Sequence, residues 1–404
     1  MLVVRLAWRN IWRNTRRTGI VITAVAVGIA GVLISMALNY GLVYTMLDTA
    51  ISTDLGHVQI HARGYVDSPE LARMLPNDGR AALRAVEDEP RVAGWAPRLR
   101  SEGLVSSPYA SVGARLVAID PRREASVTLV ADSMVDGDYF ADEPRRVVIG
   151  QAMAKRLKVG VGDKIVISAQ DLEGDLAGEA MRVGGLFRTA SRELDRGTIF
   201  MRLEEAQAML GVGVGLSEIV IDAGSRVEAE HLGDALAAAL PTLDVQRWDE
   251  LQPMLVYMLD ATEQSAVFVY LAIFIAMAFG IANVLLMTVF ERVREIGILM
   301  AIGLSRSRLV AMVVCESVFV TLVGLLIGYA LAVAGWYWLR DGIDLGGFAE
   351  GLNAYGMAST IVPVLRIEDF TVPTAVAILT ALLASAWPAS RAVRLKPAEA
   401  VRHR

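Results

Sequence analysis

Four stretches of this sequence carry almost no charge, and each is long enough to cross a membrane. Only one of them contains an acidic residue, Glu316. About 20 apolar residues in a helix span a hydrocarbon core of ~30 Å. The sequence therefore predicts four transmembrane helices, over residues 19–47, 264–290, 309–339 and 371–390. In the third of these, Gly324 and Gly328 form a GxxxG motif that permits close helix approach.

The polar segment 48–263 is predicted to be a folded domain. Short strand-like runs alternate in it with helical stretches, a pattern typical of α+β structure. The runs cover residues 57–62, 114–120, 146–150, 163–169, 197–201 and 218–223, and the helical stretches cover Asp78–Glu89, Gln151–Leu157, Leu203–Leu210 and Arg226–Leu240. Residues 249–261 are expected to extend the second span outward as a stalk. The expected fold class is a membrane α-helical protein with four transmembrane helices and a large α+β extracytoplasmic domain inserted between helices 1 and 2.

Charge is distributed unevenly between the segments that flank the spans. Residues 1–18, 291–308 and 391–404 together hold 14 Lys/Arg and 3 Asp/Glu, whereas residues 48–263 hold 23 Lys/Arg and 35 Asp/Glu. Basic flanking segments remain on the cytoplasmic side of a membrane. We therefore expect a cytoplasmic location for both termini and for residues 291–308. Residues 48–263 and the 340–370 loop are expected outside.

Residues 1–18 are predicted to form an amphipathic helix at the cytoplasmic interface. Arg5, Arg9 and Arg13 recur every four residues and would share one helical face. Trp8 and Trp12 suit the depth of the lipid headgroups. A cleaved secretory signal would have a shorter apolar core than the roughly 30 uncharged residues that follow, since such cores contain ~7–15 residues. The single cysteine of the chain, Cys315, excludes a disulfide within it.

The segment 291–308 interleaves apolar and charged residues. As a short helix it would present an apolar stripe too small to span a bilayer but large enough to dock into a groove of a partner. Gly297 and Gly303 suit a break or cap at either end of that helix. The alternative is a basic loop that only turns the chain around.

Few residues of the sequence suggest chemistry of their own. No GxxxxGK(S/T) phosphate-binding loop is present, so ATP would have to be bound by a separate protein. His57 and His61 lie four residues apart without an evident third ligand, and no metal site is predicted. No catalytic residue is predicted. Glu316 is about 12 Å along a helix from Arg308, so a structural anchor near the interface and a role in transport or coupling both remain open.

Three membrane-flanking motifs resemble the FtsX/MacB/LolC-LolE family of ABC-transporter permeases. They are LAWRNIWRNTRRTGIVITAVAVG, ERVREIGILMAIG followed by SRSRLVAMVVCES, and WPASRAVRLKPAEAVRH. Within the large polar segment, GHVQIHARGY, VVIGQAMAKRLKVGVGDKIVI and GLFRTASRELDRGTIFMRLEEAQAML are most similar to the lipoprotein-releasing branch. The resemblance implies a MacB-like periplasmic core domain built from two small α/β units. It also implies a multi-pass location in the bacterial inner membrane.

The function that the resemblance implies is that of a permease subunit without an ATPase site of its own. A separate ABC ATPase, in two copies, would bind ATP and Mg and drive conformational change of the periplasmic domain. A second permease chain would complete a homodimer or heterodimer, and lipoproteins would be the cargo, with a periplasmic carrier as a further partner. The alternatives are efflux of a peptide, antibiotic or other amphiphile with a periplasmic adaptor, FtsX-like signalling to a cell-wall hydrolase, and a membrane-anchored enzyme.

The family's coupling motif assigns ATPase docking to particular positions of this chain. The expected docking residues are Glu291, Arg292, Glu295, Ile296, Leu299, Ile302 and Arg306, with Arg394, Pro397 and Glu399 as secondary candidates. Outward-facing apolar residues at the membrane edge are expected to contact lipid or cargo, because methionine-rich surfaces adapt to varied partners. These are Met36, Leu42, Met46, Met254 and Met258. Ordinary packing of helices within the stalk is the alternative for this set.

Overall fold

The computed structural model describes residues 2–140, 143–291, 293–344 and 360–393, and the chain divides into two compact units. The first, here called the membrane unit, comprises Met1–Leu42, Met258–Ile343 and Ile361–Arg404. The second, here called the outer unit, comprises Val43–Tyr257 and Asp344–Thr360.

The helices of the described residues follow the predicted order. They are α1 Leu2–Ile11, α2 Thr15–Ala50, α3 Arg80–Glu87, α4 Pro121–Glu124, α5 Gln151–Leu157, α6 Arg192–Gly197, α7 Leu203–Met209, α8 Arg226–Ala239, α9 Trp248–Leu251, α10 Pro253–Glu291, α11 Val293–Ala301, α12 Arg306–Leu339 and α13 Glu368–Val393. Among them, α2, α10, α12 and α13 are long and apolar enough to cross a membrane. All four extend beyond the predicted spans at one or both ends, because flanking polar residues do not by themselves break a helix.

The GxxxG motif of α12 lies against α2, as the sequence predicts. A Cβ atom added at Gly324 would lie 2.7 Å from the Val25 side chain, and one at Gly328 would lie 2.9 Å from the carbonyl oxygen of Ala26. Only glycine therefore permits this separation of the two helices. The same helix α12 also contacts α13, where the Ser317 hydroxyl donates to the carbonyl oxygen of Ala381 over 3.1 Å.

The N-terminal helix α1 packs on the beginning of α12. Ala7 is buried there with Leu309 and Met312, and Leu6 packs against them. Trp8 stands edge-on to an aromatic ring of α12, with 5.6 Å between the centroids of Trp8 and Phe319. The buried residues of α1 thus anchor the helix to the third span, while Arg5 and Arg9 are exposed.

The outer unit is built on one mixed sheet of ten strands. The strands are β1 Val58–His61, β2 Gly94–Ser106, β3 Ser111–Ile119, β4 Met134–Gly137, β5 Arg146–Gly150, β6 Lys164–Gln170, β7 Leu176–Phe187, β8 Thr198–Arg202, β9 Glu218–Asp222 and β10 Asp244–Arg247. Their order is β10-β1-β9-β2-β3-β8-β5-β7-β4, and β6 pairs with both β2 and β7. The pairs β3–β8 and β5–β7 are parallel, and the others are antiparallel. Two further short strands, β11 Ile343–Asp344 and β12 Thr360–Ile361, form a separate ladder.

The sheet is continuous, but the apolar core of the outer unit is divided. The largest cluster lies around β2, β3 and β5–β8 with α5 and α7, and includes Leu116, Ile149 and Leu157. A second cluster lies around β1 and β9 with α3 and α8, and includes Ile60 and Leu232. A third cluster, with Val148, Phe187 and Phe200, also packs on this sheet. The division into two α/β units that the family resemblance implies stays a prediction.

Candidate functional site

Two ion pairs join residues at and just before the beginning of α2 to the end of α10 and the beginning of α11. The Arg13 guanidinium donates to both carboxylate oxygens of Glu295 over 2.9 and 2.8 Å. Arg17 donates in the same way to both carboxylate oxygens of Glu291. The arginines are four residues apart, the glutamates are four apart, and they pair in opposite order. We call these four residues the charge ladder.

The charge ladder fixes the relative orientation of the segments that it joins and adds little to their stability. Its side chains remain between 27% and 53% exposed, and exposed ion pairs contribute only ~0–1 kcal/mol. The hydrogen bonds from Arg17 lower the pKa of Glu291, so this carboxylate stays charged. A bidentate arginine–carboxylate pair also fixes how the two side chains are oriented, because both donors of the guanidinium must face both oxygens of the carboxylate. The ladder therefore holds the end of α10 and the beginning of α11 in register with α2.

A cavity of about 260 Å³ in the membrane unit is lined by all four ladder residues and by Glu316. Glu316 is partly buried on α12, one residue before the buried Ser317. The lone acid of the apolar runs thus faces the same space as the ladder. Its position agrees with the expectation that it lies near the basic end of the third span, and its role stays a prediction.

The segment 291–308 contains a short helix with exposed apolar side chains, as the sequence predicts. Ile298 on α11 is 44% exposed, and Ile302 in the turn that follows is 80% exposed. The turn is closed by a hydrogen bond of 3.0 Å from the Ile302 amide to the Ile298 carbonyl oxygen. Gly303 ends it with a φ of +102°. The expectation that Gly297 breaks the helix is wrong, because Gly297 lies inside α11.

The predicted docking residues fall into four groups. Glu291 and Glu295 are exposed and pair within the chain. Ile302 and Arg306 are also exposed. Ile296 and Leu299 lie on α11, but their side chains are not among those described. Arg292, Arg394, Pro397 and Glu399 lie outside the described residues. Arg13, Arg17 and Ile298 are not among the predicted docking residues, although the matching spacing of four in Arg13/Arg17 and Glu291/Glu295 could have indicated the ladder.

The residues expected to contact lipid or cargo differ in exposure. Met36 is 2% exposed, so the expectation that it faces outward is wrong. Its side chain packs inside the membrane unit, because α2 is contacted by other helices on that face. Met254 is 66% exposed. Leu42, Met46 and Met258 are partly buried.

The two histidines considered for a metal site are engaged with carboxylates. His57 Nδ1 lies 2.7 Å from Asp222 Oδ1, and His61 Nε2 lies 3.4 Å from Glu218 Oε2. His61 and Glu218 are cross-strand partners in β1 and β9. Among the described residues, no group of three or more His, Cys, Asp or Glu side chains is arranged to hold a metal ion.

Two protein families match most of the chain. The MacB-like periplasmic core domain matches residues 18–239, and the FtsX-like permease C-terminal domain matches residues 266–397. The lipoprotein-releasing system transmembrane protein LolC of Xylella fastidiosa is 25% identical, over 97% of this chain and 96% of the relative. LolC of Neisseria meningitidis is 24% identical, over 96% and 94%. The macrolide export ATP-binding/permease protein MacB of Brucella melitensis is 25% identical, over 98% of this chain and 60% of the relative.

Two solved structures show a weak similarity to this chain. The periplasmic region of MacB from Actinobacillus actinomycetemcomitans has 12% identity and a TM-score of 0.35, and covers 52% of this chain and 96% of that one. The extracellular domain of the transporter YknZ gives the same identity and TM-score, and covers 47% and 99%.

The four apolar helices, the inserted α+β domain and the matched regions together define a class of membrane protein. The chain belongs to the LolC/MacB/FtsX family of ABC-transporter permeases, with an FtsX-like permease region and a MacB-like periplasmic core domain. It is a multi-pass protein of the inner membrane, and members of this family work with ABC ATPases.

Proposed function

We propose that this chain is the permease subunit of an ABC transporter that releases lipoproteins from the inner membrane for transfer to the outer membrane. A separate ATPase subunit binds ATP and Mg and hydrolyses ATP. The permease converts that hydrolysis into conformational change of the outer unit. The proposal of lipoproteins as cargo is supported by the LolC relatives, which align with nearly the whole chain in both directions.

The charge ladder is the observation that carries this proposal. An ATPase that moves α11 acts on a segment already tied by two bidentate ion pairs to Arg13, just before α2, and to Arg17 in α2. From Arg17 the chain continues as one helix to Ala50. A displacement of α11 is therefore imposed on the first span, which leads along the chain into the outer unit.

The docking surface in this proposal is the exposed apolar side of the segment 291–308. Among the side chains of this segment that the structure describes, Ile298 and Ile302 are exposed and apolar, and Arg306 adds charge at the rim. Each such segment needs its own groove, so the assembly contains two ATPase chains and two permease chains, as a homodimer or a related heterodimer. Both termini and this segment lie in the cytoplasm.

Substitution of Ile302 tests the docking surface. We expect Ile302→Glu to abolish ATP hydrolysis stimulated by the permease and to prevent co-purification of the ATPase, because a charge would face an apolar groove. Val227→Glu is the matched control, since Val227 is 70% exposed on α8 of the outer unit. ATP hydrolysis is measured on the purified complex in proteoliposomes. Unchanged stimulation in Ile302→Glu would show that the docking surface lies elsewhere.

Efflux with a periplasmic adaptor is the second candidate, favoured by the MacB relative that aligns with 98% of this chain. Mild purification of the tagged full chain, with identification of the proteins bound to it, distinguishes lipoprotein release from efflux. Bound lipoprotein, or a soluble carrier of it, supports lipoprotein release. An adaptor protein recovered in its place supports efflux. Recovery of the chain without any ATPase would contradict both functions.

A further inference from the structure

A cavity of about 540 Å³ in the outer unit lies between α5, α6 and the loop that joins β7 to α6. Five basic side chains line it, and Asp195 is the single acidic residue of its lining as the structure describes it. We call this space the basic cavity. Its lining carries a net charge of +4 when all of these groups are ionised. The basic residues are Lys155, Arg156, Arg188, Arg192 and Arg196.

The charge of the basic cavity is opposite in sign to that of the polar segment around it. Residues 48–263 hold 35 acidic and 23 basic residues. In the portion of the chain that the structure describes, the side chains of Lys155, Arg156 and Arg196 form no ion pair, and all three are exposed. Neighbouring like charges repel one another, and their summed field attracts an anion. The basic cavity is therefore suited to an anionic ligand.

The acidic residue of the lining is already engaged by the wall itself. One carboxylate oxygen of Asp195, Oδ1, accepts hydrogen bonds from the amide and the hydroxyl of Thr189, both 2.9 Å long. Asp195 is buried, and burial raises the pKa of its carboxyl above the ordinary value. A carboxylate held in this way competes weakly with an anionic ligand for the surrounding guanidinium groups.

The walls of the basic cavity are fixed by contacts within the chain. Gly150 precedes α5, and a Cβ atom there would overlap the backbone of Asp195 in α6, so the two helices approach closely. The loop between β7 and α6 is held at both ends. The Arg188 amide donates to the carbonyl oxygen of Ser133 over 2.9 Å, and the Leu194 amide donates to the Ser191 hydroxyl over 3.3 Å. A ligand therefore meets a preorganised site, which lowers the entropic cost of binding.

The lining indicates a compact and fully hydrophilic ligand. Among its described residues, Ala152 and Ala190 have the only apolar side chains, so a hydrocarbon chain would find no surface to pack on. A cavity of about 540 Å³ is within the usual range for small-molecule sites, ~300–1,000 Å³. A phosphate group carries a charge of about −1.5 to −2 at neutral pH. Two phosphate groups thus match the net charge of the lining, whereas about four carboxylates would be needed for the same match.

We propose that the basic cavity binds a water-soluble molecule that carries two phosphate groups. The guanidinium groups of Arg156 and Arg196 present paired donors to the phosphate oxygens, a geometry that suits arginine. Lys155 adds an ammonium group, and the side-chain amide of Gln151 adds a neutral donor. Binding requires neither the ATPase nor a particular cargo.

Calorimetric titration of the full chain in a non-ionic detergent tests the proposal. Inorganic pyrophosphate is the probe, at constant ionic strength and without divalent cations. We expect it to bind at least tenfold more tightly than orthophosphate or citrate. Absence of pyrophosphate binding would overturn the proposal. Equal binding of orthophosphate would overturn the requirement for two phosphate groups, and equal binding of citrate would overturn the preference for phosphate.

A competition experiment distinguishes a soluble ligand from a lipid headgroup that carries the same chemical group. Dihexanoyl phosphatidylglycerol has a phosphate in its headgroup and chains short enough to stay dissolved. We expect it not to displace pyrophosphate from the full chain. Displacement at concentrations comparable to that of pyrophosphate would assign the site to a lipid headgroup and overturn the proposal of a soluble ligand.

A pair of double variants with the same change in charge provides the control. Arg156→Gln with Arg196→Gln should weaken pyrophosphate binding at least tenfold. Arg84→Gln with Arg122→Gln should leave it unchanged, because both residues are exposed and neither lines the basic cavity. Equal weakening in the two double variants would show that the net charge of the outer unit, and not the cavity, attracts the anion. Since no ATPase is present, this experiment can fail without affecting the proposed transport function.

Discussion

At the scale of single residues, Arg98 is the most unusual position in the outer unit. It has no exposed surface, and its guanidinium donates to both carboxylate oxygens of the equally buried Glu124 over 3.0 and 2.6 Å. It also donates to the carbonyl oxygen of Asp54 over 2.6 Å. Arg100 donates to Glu218 over 2.7 Å. A buried charge requires such partners, because the interior solvates it poorly.

Removal of the partner of Arg98 should destabilise the outer unit strongly. Glu124→Gln leaves the buried guanidinium without its bidentate carboxylate, and loss of one member of a buried pair costs roughly 3–5 kcal/mol. Hydrogen exchange of the β2 and β9 amides in the full chain, in detergent, measures this loss. Glu230→Gln, on the exposed side of α8, should leave exchange unchanged. Equal protection in both variants would contradict the role of Glu124.

The same network should make the outer unit sensitive to acid. Burial alone would raise the pKa of Glu218, but the charges of Arg100 and Arg98 and the His61 contact outweigh it and lower the pKa below the ordinary 4.5. A carboxylate of this kind contributes stability in full above its ordinary pKa, and the contribution is lost as pH falls through the lower folded value. Amide protection in β9 should therefore fall below about pH 4.5. Glu218→Gln should reduce that acid dependence, and an undiminished dependence would contradict the assignment.

The sequence does not predict this network of buried charges. The run RLRSEG around Arg98 reads as a solvated segment, so β2, the longest strand, was not among the predicted ones. Its register became visible only through pairing with β3 and β9. Local patterns predicted β5 and α5 at their observed bounds, because their apolar residues are consecutive or helically spaced. Partners that are distant in sequence decide where a buried charge is tolerated, and a single sequence does not contain that information.

At the scale of elements, the charge ladder connects two segments that are 274 or more residues apart. Arg13→Glu should lower permease-stimulated ATP hydrolysis several-fold, because it places like charges opposite each other. Arg13→Glu combined with Glu295→Arg should restore most of it. Hydrolysis by the purified complex is the measurement, and Arg9→Glu, at an exposed position of α1, is the control. Failure of the double variant to recover would indicate that Glu295 contacts the ATPase itself.

The contact between α2 and α12 should tolerate no larger residue at Gly324. A leucine there would overlap Val25, and overpacking of this kind costs ~1–3 kcal/mol. We expect a lower unfolding temperature for Gly324→Leu in detergent. Gly280→Leu on α10 is the matched control, because a Cβ atom there meets nothing within 4 Å. An unchanged unfolding temperature in Gly324→Leu would mean that the helices separate at little cost.

At the scale of the whole molecule, the charge distribution predicts how the chain is oriented in the membrane. The three segments with 14 Lys/Arg and 3 Asp/Glu should lie in the cytoplasm, and residues 48–263 should lie outside. In a variant with Cys315→Ala, a membrane-impermeant thiol reagent should label Lys164→Cys in cells with a permeabilised outer membrane. It should label Arg9→Cys only after the inner membrane is opened. The reverse labelling pattern would show that the chain has the opposite topology.

The antiparallel pairing of the charge ladder also has a consequence for how this sequence can change during evolution. A reversal of sign at position 13 alone places two like charges together, while a compensating reversal at position 295 recreates the pair. Positions 17 and 291 are linked in the same way. Among diverging relatives, the two positions of each ion pair should change sign together. Correlated substitution in an alignment would then reveal both ion pairs without any structure.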